Sequence, residues 1–460
     1  MSFIKHNLYN IRHIVKIENI VYNIIIIKTK NKLYFMAITL WGKVYYSDIY
    51  AGELQQEPGG RCIFTYDASY LNSPSPLPIS FSFPLRKESF VSERGLHPFF
   101  DNLAAEGWLE DVQAKALQTA DRFALLLGFG YDLAGAVSII DPLPRPRIQL
   151  NHIDEIAALS GRTSLSGVQR KLMVVKEGNQ YRPANSNELS THIAKLSSGT
   201  LTDIIEVEYL TTQAVKKLLP DDAVVEMEIA TVHGLPESAL IIKRFDRIVF
   251  HTKVKNLNVE EINSSKITRI HFEEFNQLLG HYSGDDKYKG SYEDLGNFIN
   301  TTAGCMPAEV DRLYRRILAN LLVGNTDAHF KNFAMFHTRD GLRLTPSYDL
   351  VAANRYQQYK EIALNIGGAK NLEIGALKPK HIIELGYAFG LNNKIILNTV
   401  NEIEANLQTA KQAIFTSQID CSSALRKKLI DMMEKRWKGS FGSIGQLLSK
   451  RQSKGGNRKI

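Results

Sequence analysis

Residues 324–332, GNTDAHFKN, set an aspartate and an asparagine five positions apart, with a histidine and a lysine between them. Asp327 and Asn332 thus reproduce the D-x-x-x-x-N spacing of phosphoryl-transfer loops. In such loops the aspartate takes a proton from the attacking hydroxyl and the asparagine holds a magnesium ion. Asp and Asn also cap helices and begin turns, so the same nine residues describe a plain polar loop. The neighbouring elements must separate the two readings.

Upstream, EVDRLYRRILANLLVG has helical spacing that stops at Gly324, so a helix delivers Asp327 to the loop beyond it. Downstream, FAMFHTRDGLRLTPSYDL reads as a hairpin, with β-like runs at 333–338 and 342–345 around the turn pair Asp340-Gly341. A hairpin brings its outer ends to about one strand spacing, roughly 5 Å. Asn332 and Asp349 should therefore meet, offering the hard oxygen ligands that magnesium takes beside phosphate oxygens. The competing reading of Asp349 is a helix cap before LVAA.

A triphosphate also needs a cation. Lys195 lies inside the apolar run HIAKL, where a lysine is costly unless it is paired or functional. Glu208, on the following helix IEVEYLTTQAVKKLL, is a candidate partner; snorkelling at a strand edge is the other reading of Lys195. That helix carries Val207, Leu210, Ala214 and Leu218 on one face. SLSGVQRKLMVV offers a Ser/Gly turn with Arg170 and Lys171 leading into a strand, although it is neither a Walker A loop nor G-x-G-x-x-G. Lys331, between base and metal residues, can meet a transferred phosphoryl group, and His329 can polarise a phosphate or simply face solvent. Arg244 and Asp246 in KRFDR read as a structural ion pair.

The 460 residues suffice for two or three domains, with 44% hydrophobic and 23% charged residues marking a globular chain. A net charge of +8 permits a polyanionic partner without specifying one. Cys62, Cys305 and Cys421 lack ligand spacing, which suits a reducing cytoplasm and disfavours a structural zinc or disulfide framework. No apolar run reaches the eighteen or so residues of a membrane span. Residues 1–35 stand apart: 22 of them are Ile, Asn, Lys or Tyr, and Met36 opens a better-patterned segment, so 1–35 read as a non-native extension or else as an N-terminal strand pair. Residues 36–140 read as a small α+β unit, with strands in ITLWGKVYY and CIFTYDASYL, an extended SPSPLPISFSFP, and helices in HPFFDNLAAEGWLEDVQAKAL and ADRFALLLGFG. A proline-rich linker follows at 141–149. Residues 150–265 read as a sheet-rich lobe with strands at LMVV, HIAKL and ALIIKRF. Residues 266–449 read as a helical lobe, including HFEEFNQLLG, YEDLGNFINT, HIIELGYAFG and SSALRKKLIDMMEKRW, and 450–460 as a basic, solvated tail.

SLSGVQRK, THIAKL, IEVEYL, KRFDR, NTDAHFKN and LTPSYDL, in this order and spacing, resemble the HipA toxin kinases of bacterial type II toxin–antitoxin systems. FTYDASYL through FFDNL to RFALLLGFGYDLAGAV is similar to their N-terminal subdomain, so the resemblance spans about residues 37–445. It implies an α+β, two-lobed protein-kinase-like fold with an N-terminal α+β subdomain and a helical C-terminal lobe. The implied activity is ATP- and Mg2+-dependent Ser/Thr phosphorylation that arrests growth, in the founding member through glutamyl-tRNA synthetase. Carried over, Asp327 is the catalytic base with Lys331 beside it, and Asn332 and Asp349 hold magnesium. Ser166, Gly167, Val168, Gln169, Arg170 and Lys171 form the triphosphate loop, and Lys195 contacts the phosphates. Arg244 and Phe245 mark the adenine hinge, while His329 and Tyr348 complete the nucleotide-binding set. Ser164 falls at the autophosphorylated serine of the family. Ser166 stands where an alanine is common, and Lys243 where the hinge strand has an acidic residue. The implied partners are a HipB-like helix-turn-helix antitoxin, operator DNA through that antitoxin, and a protein substrate, with no membrane. Two other readings are a small-molecule or lipid kinase on the same fold and a catalytically inactive co-repressor module.

Overall fold

The computed structural model describes residues 10–17, 20–29, 32–37, 39–143, 153–160, 169–186, 188–254 and 262–455. The chain divides into two compact units, Met1–Val175 with Pro183–Ser190, and Lys176–Arg182 with Thr191–Ile460.

In the first unit, β1 (Asn10–Ile17), β2 (Ile20–Thr29) and β3 (Lys32–Ala37) form an antiparallel meander across the compositionally distinct stretch. A five-stranded sheet follows, built from β4 (Leu40–Tyr46), β5 (Ile49–Gln56), β6 (Cys62–Tyr66), β7 (Phe90–Ser92) and β8 (Val137–Ile140) in the order β7-β6-β5-β4-β8. In β6 alternate residues are buried, as the period-2 pattern requires. The segment read as one strand stops there, because Asp67 accepts from Ser69 N and caps the short helix α1 (Ala68–Leu71). The single long helix read at 97–117 is two, α2 (Pro98–Leu103) and α3 (Trp108–Leu117), separated at Gly107 with φ 59°. With α4 (Arg122–Phe129) they cover a core of Val44, Leu54, Phe64, Phe99, Phe100 and Leu126. SPSPLPISFSFP contains no strand. The linker at 141–149 lies largely outside the described residues and precedes α5 (Ile153–Ser160).

The division between units falls within β9 (Lys171–Glu177) and β10 (Gln180–Pro183). In the second unit β11 (His192–Lys195) precedes α6 (Ile204–Leu218), β12 (Met227–Thr231) and β13 (Ser238–Lys243). β13 pairs antiparallel with both β11 and β12, setting Lys195 opposite Leu240 and Ala230 opposite Ala239. β14 (Arg247–Val254) and β15 (Ile262–Arg269) make a ribbon that the sequence patterns did not announce. β16 (Phe272–Glu274) and the one-turn helix α7 (Phe275–Leu278) replace the helix expected at HFEEFNQLLG. Pairing with β17 (Ala334–Thr338) overrides local helical spacing there. α8 (Tyr292–Thr301) and α9 (Ala308–Val323) lead to the loop that carries Asp327, followed by β17 and β18 (Gly341–Leu344). α10 (Pro379–Ala388), α11 (Asn393–Phe415), α12 (Ser423–Arg436) and α13 (Ile444–Gly455) complete the helical part. α11 packs along α6 and was not read from the sequence; α13 runs into the expected basic tail. Val207, Leu210, Ala214 and Leu218 are all buried in this unit's core, as the 3.6-residue spacing required. Among the described residues no helix is long and apolar enough to cross a membrane.

The β17–β18 hairpin pairs Thr338 with Gly341, and Gly341 takes φ +98°. A Cβ there would lie 2.0 Å from the carbonyl oxygen of Gly304, whereas at Gly368 (φ +75°) it would meet nothing within 4 Å. Gly341→Ala is therefore expected to lower the unfolding free energy by roughly 2–4 kcal/mol, and Gly368→Ala by about 1 kcal/mol. Urea titration of both variants checks the difference; equal losses would remove the steric contribution of Gly304.

Candidate active site

The site grows from three segments of the second unit. The first is β11, which ends in Lys195, only 4% exposed. The second is α6, whose Glu208 is fully buried and meets the lysine, with Nζ 2.6 Å from Oε1. The third is the turn after the hairpin, where Asp349 takes φ 56° and its Oδ1 accepts from the same Nζ. The left-handed conformation is one that Asp tolerates better than branched residues do. α6 also grips this turn directly: Thr211 Oγ1 accepts from Ala352 N at 3.2 Å, and Thr212 Oγ1 donates to Leu350 O at 3.5 Å. Glu208, Thr211 and Thr212 share one helix face because they are three and four residues apart.

The loop carrying Asp327 begins where α9 stops. Gly324, at φ 84°, ends the helix, and any Cβ there would press to 2.3 Å on Asn354 Oδ1 and 2.5 Å on Arg436 Nη2. Asn325 then ties the loop together. Its Oδ1 accepts from Asp327 N at 3.2 Å, and its Nδ2 donates to Asn320 Oδ1 at 2.8 Å and to Asp349 O at 3.1 Å. His329 N donates to Asn332 Oδ1 at 3.0 Å, and Asn332 Nδ2 donates to Asp349 Oδ2 at 2.7 Å. The meeting of Asn332 and Asp349 expected from the hairpin is thus present. Asp327 is half-buried, and its Oδ1 accepts from Tyr288 Oη at 2.9 Å.

Charge is balanced tightly. Burial presses Lys195 towards its neutral form, but the carboxylates of Asp349 and Glu208 outweigh it and raise the pKa above the ordinary 10.5. The ammonium is therefore kept charged. Burial also pushes Tyr348 well above 10.0; its hydroxyl donates to Lys331 O at 2.8 Å. The donor set suits a hard divalent ion. Asp349 is the more open carboxylate, with its side chain 32% exposed, and carboxylate and amide oxygens are the hard ligands such an ion takes.

Residues 163–411 match the model of the HipA-like C-terminal domain, and residues 42–140 match that of the HipA N-terminal domain. The chain belongs to the HipA family. The serine/threonine-protein kinase toxin HipA of Shewanella oneidensis is 26% identical over 361 residues, covering 71% of this chain and 78% of that protein. Y4mE of Sinorhizobium fredii is 29% identical over 354 residues, covering 70% of this chain and 80% of its own length. Among solved structures, the Shewanella oneidensis HipA in complex with HipB and operator DNA superposes with a TM-score of 0.70 at 21% identity, covering 88% of this chain and 99% of that one. The HipA-type, kinase-like fold expected from the sequence is the fold of this protein.

Within this HipA frame the remaining expected residues distribute unevenly. Arg244 is buried, with Nε 2.9 Å from Asp246 Oδ1 and Nη2 2.7 Å from Oδ2, the ion pair read in KRFDR. Its backbone N–H donates to Thr191 O at 3.0 Å. Phe245 packs against Phe272, Phe336 and Tyr348 with ring centroids 4.9, 5.6 and 5.5 Å away. Lys331, buried, turns its Nζ to Glu274 Oε2 at 3.5 Å. His329 is buried, not solvent-facing. Gln169, Arg170 and Lys171 belong to the first unit, and Ser164, Ser166, Gly167 and Val168 lie outside the described residues. Sequence reasoning missed Asn325, Tyr288 and Glu274. Asn325 had a local signal, an Asn two residues before the aspartate in an Asx-turn position; the other two had none.

Because folding raises the Lys195 pKa, the stability it adds is fully present below the ordinary lysine range and is lost as pH rises through the folded value. Glu208→Gln keeps the shape but removes one of the two compensating charges. It is expected to lower unfolding free energy by roughly 1–3 kcal/mol at pH 7, with the difference shrinking above the lysine range. Chemical denaturation at pH 7 measures the loss; an unchanged midpoint would show that Asp349 alone suffices.

Proposed function

We propose that this HipA-family chain is an ATP- and Mg2+-dependent serine/threonine protein kinase acting as the toxin of a toxin–antitoxin pair. The observation that carries the reading is one connected network: Glu208 to Lys195, Lys195 to Asp349, Asp349 to Asn332, with Asp327 on the same loop as Asn332. A strand lysine held by a helix glutamate, beside an Asp and an Asn, is the arrangement with which kinases hold nucleotide phosphates.

In this reading Lys195, kept charged, neutralises the triphosphate, and Glu208 fixes its amine. Asn332 and Asp349 would hold Mg2+, which when bound supplies charge neutralisation at the phosphate oxygens. Asp327 accepts the proton of the substrate hydroxyl. Lys331, paired with Glu274, adds a positive charge for the transferred group, and His329 lines the phosphate region. Arg244 and Phe245 lie at the hinge where adenine binds, largely through backbone groups, and Tyr348, packed on Phe245, completes the nucleotide-binding set. By the family resemblance Ser166–Lys171 would supply the triphosphate loop and Ser164 its self-modified serine; Ser164 and Ser166–Val168 lie outside the described residues. The relative whose structure contains HipB and operator DNA supports a HipB-like helix-turn-helix antitoxin as partner, with DNA reached through it. By the family resemblance the protein substrate would be a translation-related protein whose phosphorylation would arrest growth.

Asp327→Asn is expected to cut transfer of label from γ-labelled ATP into lysate protein by roughly a hundredfold or more. Expressed without antitoxin, the same variant should no longer arrest growth; a soluble variant that remains fully toxic would sink the assignment. Mg2+-dependent stabilisation by ATP, read as a thermal shift, should be largely lost in Asp349→Ala. Equal shifts in the two proteins would remove Asp349 from the metal site.

A further inference from the structure

Asp327 is held by a side chain that lies outside the loop motif. Tyr288 Oη donates to Asp327 Oδ1 at 2.9 Å across 39 residues of sequence. Tyr288 ends the 3-10 turn Gly284–Tyr288, which is fastened on both sides. Tyr282 N donates to Asp286 Oδ2 at 3.3 Å, Lys289 N donates to Asp286 O at 3.0 Å, and Asn276 Nδ2 donates to Tyr282 O at 2.8 Å. The phenol ring stands edge-on to His329, with centroids 5.0 Å apart at 83°, and Lys287 Nζ lies 5.4 Å from its centre. Partial burial, then the Asp327 charge, raises the phenol's pKa above 10.0, so the hydroxyl stays protonated and faces the carboxylate as a donor.

We propose that Tyr288 is the positioning residue of the phosphoryl-transfer base: its hydroxyl holds one carboxylate oxygen of Asp327 and so sets the orientation in which that carboxylate meets the hydroxyl of the protein substrate. The inference rests on reading Asp327 as that base. In the transfer the substrate oxygen bonds to the γ-phosphorus, the bond from that phosphorus to the β,γ-bridging oxygen breaks, ADP leaves, and the substrate proton passes to Asp327. Tyr288 keeps its own proton throughout. The transition state of phosphoryl transfer is loose, so a base contributes mainly by orienting the hydroxyl. A hydrogen bond to one oxygen narrows the range of orientations of a carboxylate, and its loss widens that range. Orientation lost by removing a single hydroxyl is expected to cost about tenfold in rate.

The test uses the full chain with γ-labelled ATP, Mg2+ and cleared host lysate, comparing wild type, Tyr288→Phe and Asp327→Asn. Expected for Tyr288→Phe is a maximal labelling rate about tenfold lower, with the apparent KM for ATP and the Mg2+-ATP thermal shift unchanged. An unchanged rate overturns the inference, and so does a faster one, which would mark the phenol as an obstacle to the acceptor. Joint loss of rate and of the ATP thermal shift also overturns it, by showing a purely structural role. Wild-type labelling by Asp327→Asn would instead remove the base reading itself. A dead Asp327→Asn beside a full-rate Tyr288→Phe removes Tyr288 alone.

Discussion

A single ammonium group, buried between two carboxylates, is the constraint on which the site depends. Taking the ammonium and the Glu208 carboxylate out of water, with Asp349 only partly exposed beside them, costs several kcal/mol per buried ion, on the order of what a whole domain has to spare. Lys195 meets that cost only when β11, α6 and the turn at Asp349 are in place together, because each supplies one charge of the three. Loss of the ammonium leaves two carboxylates facing each other, and loss of either carboxylate leaves the ammonium with one partner. The machinery that would hold a phosphate is therefore also a fastening between sheet, helix and loop.

α6 serves both the core and the site. Val207, Leu210, Ala214 and Leu218 bury one face among the helices, and α11 lies along it. Glu208, Thr211 and Thr212 face the Asp349 segment with a carboxylate and two hydroxyls. Burying four apolar side chains contributes roughly 1.5–3 kcal/mol for each large one, enough to hold the polar face in register. A shift of α6 by one residue would move Glu208 away from Lys195 and expose the apolar face together.

Asn325 performs the corresponding task for the loops. Its one amide joins the end of α9, the backbone of Asp327 and the carbonyl of Asp349. Base and metal-ligand candidates are thereby positioned by the same side chain, and their separation is set by backbone hydrogen bonds more than by long side chains. Held in this way, catalytic groups need little rearrangement when substrate arrives.

The sequence by itself determined whatever depends on short spacing. The stop at Gly324, the D-x-x-x-x-N loop, the hairpin that returns Asp349 to Asn332, and the apolar face of α6 are all contacts or periods within about twenty residues. The Lys195–Glu208 pair was legible for the same reason: they lie 13 residues apart, joined by a strand-to-helix connection. HFEEFNQLLG misled because its helical spacing is local, while the strand it forms is decided by pairing with β17, some sixty residues on. Only the tertiary structure decided that Lys195 also reaches Asp349 across 154 residues, and that Tyr288 meets Asp327 across 39. Such contacts leave no periodic mark on the chain, since they arise where separately folded segments pack and each segment's own pattern records only its apolar face.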